Sequence, residues 1–173
     1  MFKLLGSIVI IGTCSCYGYY KASCVKKRIE YLSEFIQILE VMKSNIGYSY
    51  MELPEIFNKL SDNVNSKIFK DMFKGLYEEL NKTDMINFGQ AWNNGVKSLE
   101  KNNIFKPEEI SAIKELDKIT SYIDKDMQLT YIEMIKQELM LTVNNARDES
   151  SKKIRMYQIL GVMTGMFIVV ALI

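Results

Sequence analysis

Residues 156–173 read MYQILGVMTGMFIVVALI, eighteen residues without one charge. At about 1.5 Å per residue, a helix of that length spans roughly 27 Å, close to the thickness of a hydrocarbon core. Lys152, Lys153 and Arg155 stand just ahead of it. Working outward to the other end, Leu4–Tyr20 is a second uncharged stretch, with Lys3 before it and Lys21, Lys26, Lys27 and Arg28 after it. Basic flanks stay on the cytoplasmic side of a membrane. Both basic clusters border the middle of the chain. The pattern therefore predicts a transmembrane helix at 1–20, a cytoplasmic domain at 21–155 and a transmembrane helix at 156–173, with both ends on the far side. The same basic residues suit anionic headgroups, at about 1 kcal/mol each near the surface.

The first stretch has competing readings. A secretory signal would need a short polar exit and an A-x-A-like site. A lipid-modified start would use Cys14, Cys16 or Cys24, but Ile11, Gly12 and Thr13 ahead of Cys14 suit that poorly. All three cysteines lie in residues 14–24, too few and too close for a four-ligand zinc site.

Lys3 aside, every charge of the 173-residue chain falls within 21–155, where basic and acidic residues balance. A net charge of +1 offers no field for holding nucleic acid. The middle segment is helical in pattern. Ile29, Leu32, Ile36, Leu39, Met42 and Ile46 recur at steps of three and four, and this helix is expected to end near 45–47. Pro54 suits the first turn of a second helix, with Phe57 and Leu60 on its apolar face. Residues 63–66 are a break rich in capping residues. Phe69, Met72, Phe73, Leu76 and Leu80 mark a third helix. Thr83 and Asp84 are expected to cap a fourth, which carries Phe88, Trp92, Val96 and Leu99 and stops at Asn102 and Asn103. Pro107, Glu108 and Glu109 open a fifth, with Ile110, Ile113, Leu116 and Ile119 or Thr120 facing inward. A sixth starts at Asp124 and runs through Ile132, Ile135, Leu139, Val143 and Ala146 without a breaker before the C-terminal stretch. No segment alternates with period two. The expected fold is all-α, a compact bundle of about six helices flanked by two transmembrane helices.

Chemistry is sparse. With no His, a Ser-His-Asp triad or a His-bearing metal site cannot be built. No G-x-x-x-x-G-K-[ST] phosphate loop and no G-x-S-x-G turn occurs. Glu78-Glu79, Glu108-Glu109 and Asp124 with Asp126 are adjacent or near-adjacent helical carboxylates, which point apart and read as solvated. The expectation is a protein that is not an enzyme and needs no cofactor. Gly161 and Gly165 form a G-x-x-x-G that lets another helix approach closely. Its partner is either the chain's own first helix, where Gly6, Thr13 and Gly18 are small, or another subunit. Trp92 sits on an apolar stripe, which suits core burial, with an exposed anchor for a partner as the competing reading.

The order of these parts resembles the stage III sporulation protein AB family of endospore-forming bacteria. The opening MFKLLGSIVIIGTCSCYGYY resembles that family's start. IGYSYMELPEIFNKL is similar to its motif after the first helix, with Tyr48 and Leu53-Pro54-Glu55 at the recurrent positions. GQAWNNGV carries the Ala91-Trp92 pair. Asp124 and Gln128 match a D-x-x-x-Q step, and Leu160, Gly161 and Gly165 match the Leu-Gly-x-x-x-Gly of the last helix. The chain departs from the family where two Leu-Gly pairs recur. It has Leu116-Asp117 and Thr120-Ser121 there.

The resemblance implies a two-pass protein of the mother-cell side, in the outer forespore membrane, within the channel complex that joins mother cell and forespore. It implies likeness to the platform protein of type II secretion and type IV pilus systems. The partners it implies are a secretion-type ATPase (stage III sporulation protein AA-like), other membrane proteins of the channel and lipid, but no nucleic acid. The partner-binding residues it suggests are Tyr48, Leu53, Pro54, Glu55, Trp92, Asp124 and Gln128. A generic secretion or pilus platform and a small membrane-bound signalling bundle are the alternatives. The first usually carries two helical domains and three membrane helices. The second would show long heptads, which short helices with Pro54 and Pro107 do not provide.

Overall fold

The computed structural model describes residues 2–49, 51–82, 87–121 and 124–172. Among them there is no strand, and the all-helical expectation holds. Six α-helices follow one another: α1 Phe2–Ser44, α2 Leu53–Asn63, α3 Lys67–Lys82, α4 Phe88–Glu100, α5 Pro107–Lys114 and α6 Lys125–Leu172. A π-helical turn, Asn45–Ser49, follows α1, and a 3-10 helix, Glu115–Ser121, follows α5. The chain divides into two units, residues 31–143 and the two ends, 1–30 with 144–173.

In the first unit an aromatic cluster forms the centre. Phe57 of α2 stacks on Phe73 of α3 at 5.8 Å and on Phe88 of α4 at 5.9 Å, with Trp92 at 6.1 Å. α1 contributes Leu32, Phe35, Ile38, Leu39 and Met42, all buried. Phe35 takes the place expected of Ile36, which is only half-buried. The large ring reaches Phe69 at 5.5 Å and turns the helix that way. Gly95 lets α3 and α4 close up, because a Cβ there would lie 3.1 Å from Leu76 Cδ1.

The connections follow local chemistry with two differences from expectation, at the start of α4 and the end of the fifth helix. Residues 63–66 are capped from outside: Glu34 of α1 accepts the N–H groups of Asn65 (2.8 Å) and Ser66 (2.9 Å). α4 opens at Asn87, whose side chain accepts the Gly89 N–H at 3.2 Å. Thr83 and Asp84 lie outside the described residues. The fifth helix keeps α geometry only to Lys114 and then tightens. Two carbonyls at that change are taken by side chains, Ile113 by the Trp92 indole N–H (2.9 Å) and Glu115 by the Tyr131 hydroxyl (2.9 Å). Other starts and stops fall as read. Pro54 and Pro107 sit in first turns, and Asn103 adopts φ 49° after α4, a left-handed state that Asn tolerates.

In the second unit, residues 2–30 of α1 and 144–172 of α6 meet backbone to backbone. A Cβ on Gly18 would lie 2.5 Å from the Tyr157 carbonyl oxygen, and one on Gly161 2.8 Å from that of Cys14. Among the described residues one helix, Lys125–Val170, is long and apolar enough to cross a membrane, with a best window of mean hydropathy 1.3 that is almost wholly exposed.

Candidate functional site

The turn after α1 and the start of α6 meet at Gly47. The π-helical turn is built by Asn45, whose amide donates to the Val41 carbonyl (2.7 Å) and whose oxygen accepts from Lys59 Nζ (3.1 Å). Lys125, in the first turn of α6, donates to the Gly47 carbonyl. Leu129 packs against Gly47, where a Cβ would sit 3.7 Å from its Cδ1. Tyr48 is therefore held beside α6, and 87% of it is exposed. Glu55 and Asp124 are exposed, and Leu53, Pro54 and Gln128 half-buried. The Asp124 carbonyl accepts the Gln128 N–H at 3.1 Å, so the D-x-x-x-Q step is the first turn of α6.

Trp92 does not join this surface. It is fully buried against Phe57 and Phe88, and its N–H is spent on Ile113, so the structure favours the core reading over the exposed anchor. Met127 and Met134 of α6, which the periodic reading passed over, are both exposed. They stand off the buried stripe Ile132, Ile135, Leu139 and Val143 of the same helix. Their signal was apolar character on the face that amphipathicity assigns to water.

A charge ladder holds α1 to α6 nearby. Glu133 accepts from Lys43 (2.7 Å) and pairs with Lys136 (2.8 Å), and Lys136 reaches Glu40 (2.6 Å). These bonds, to Lys136 first and then Lys43, pull the Glu133 carboxyl down to about 2. The Lys136 ammonium is raised by Glu133 and then Glu40. Among the described residues no group of three or more Cys, Asp or Glu is placed to hold a metal ion.

In the other unit, Gly161 packs on Gly18, which decides one open question: the close approach allowed by the G-x-x-x-G is used within the chain. Gly165 is buried as well. Lys26, Lys27, Lys152, Lys153 and Arg155 are exposed and Arg28 half-buried, with Lys153 paired to Glu149. Residues 3–173 match the family described as stage III sporulation protein AB. The chain belongs to that family. Its role therefore lies in sporulation. The family match spans both apolar ends and the segment between them. No curated protein and no solved structure matches the chain.

Proposed function

We propose that the chain is a non-catalytic membrane platform of the mother cell–forespore channel, held by two transmembrane helices, with residues 21–155 in the mother-cell cytoplasm. In this reading that domain recruits a secretion-type ATPase. The observation that carries it is the family match over residues 3–173, which gives the sporulation setting. Three features support the finer parts. Large apolar side chains of the last helix, Phe167 and Val170 among them, are open, as lipid contact requires. The basic flanks sit on the inner side of both apolar stretches. Tyr48 on the turn after α1 and Met127 and Met134 on α6 are exposed apolar side chains, and Glu55 and Asp124 are exposed charges, all open to a docking protein.

The partner surface is tested by capture of a stage III sporulation protein AA-like ATPase on the full chain. Glu55→Lys and Asp124→Lys are expected to weaken capture at least several-fold. Undiminished capture by both variants would remove this surface from the proposal. Movement would pass through α1, which is one helix from Phe2 to Ser44. A flexible Gly/Ser insert at residues 21–28 that left sporulation intact would show that no rigid coupling is needed.

A further inference from the structure

The end unit holds a cleft of about 500 Å³ between Thr13, Tyr17, Gly18 and Lys21 of α1 and Tyr157 and Gly161 of α6. Gly18 and Gly161 bring the two backbones into contact at its floor, and Tyr17 and Tyr157 line it beside them. Its two ends differ in chemistry. At Thr13, whose hydroxyl donates to the carbonyls of Val9 and Ile10 at 3.0 Å each, the lining carries no charge. The other end carries Lys21, whose Nζ lies 5.7 Å from the centre of the Tyr17 ring. Lys21 is the one charge among the described lining residues, and no carboxylate faces it there.

We propose that this cleft binds one anionic phospholipid, with an acyl chain along Gly18 and Gly161 and the phosphate on Lys21. The inference rests on the reading of both apolar stretches as membrane helices. A cation at the mouth of an apolar cleft, at the level where the basic flank begins, matches a lipid whose charge and chain are joined end to end. The two tyrosines suit the headgroup boundary, where one end of a ring is wet and the other apolar. A helix of a second copy would leave Lys21 without a counter-charge.

Native mass spectrometry of the detergent-solubilised full chain with added phosphatidylglycerol or phosphatidylcholine tests this. One bound phosphatidylglycerol is expected, preferred over phosphatidylcholine. Lys21→Gln should cut that preference roughly fivefold, and Lys21→Arg should keep it. Lys152→Gln, outside the cleft, should leave it nearly unchanged. Equal losses in Lys21→Gln and Lys152→Gln would overturn the site in favour of a diffuse basic field. A dimer without bound lipid would overturn it in favour of a helix from a second copy. Extraction of the chain from membranes by alkaline carbonate separates the two levels. A chain that stays in the membrane without the lipid preference refutes the cleft alone, whereas a chain that is extracted refutes the membrane reading beneath it.

Discussion

Glu133 faces two ammonium groups at once, and the consequence can be read with acid. Its carboxyl titrates near 2 in the folded chain against 4.5 for the free group. A depressed carboxyl stabilises the fold fully above pH 4.5, and that contribution fades as pH falls toward 2. Glu133→Gln is therefore expected to lower the thermal midpoint at neutral pH, with the two curves converging between pH 4.5 and 2, followed by circular dichroism. The difference should be modest, because these side chains are partly open to solvent and its screening. Trp92 carries a larger stake. Trp92→Phe leaves the Ile113 carbonyl without its indole donor, at a cost of about 1–3 kcal/mol, visible as an earlier thermal transition of the full chain in detergent. Periodicity placed Trp92 on the inner face. The carbonyl it would bind is 21 residues away on another element and was not legible.

At the scale of the element, two features depend on neighbours. The turn that leads into α3 is pinned by Glu34, which accepts the N–H groups of Asn65 and Ser66 just before the helix. Glu34→Ala should cost about 1 kcal/mol and speed hydrogen exchange several-fold at residues 65–70 while sparing α4. The run of capping residues at 63–66 correctly marked a break, but the cap itself comes from 31 residues upstream. The G-x-x-x-G of α6 likewise signalled a close approach without naming the partner. Gly161→Ala should loosen the helix crossing and lower thermal stability in detergent, since its Cβ meets backbone at 2.8 Å. Gly12→Ala, where nothing lies within 4 Å, should be neutral or better.

For the whole molecule the expected outcome is topological. Alkaline phosphatase fused at either end should be active, and fused after Glu100 inactive, in cells carrying the full chain. Activity in the third fusion would place the helical body on the far side and end the platform reading. Element order, helix class, the two apolar ends and the family were all legible along the chain, because helix periodicity, turn chemistry and long uncharged runs are local properties. The tertiary structure alone decided what meets through space. It set Phe35 in place of Ile36 at the core, Glu34 on the N–H groups of Asn65 and Ser66, Lys125 on the Gly47 carbonyl, and Gly18 under Gly161. Each of these depends on distances between residues far apart in sequence, and no local pattern carries such a distance.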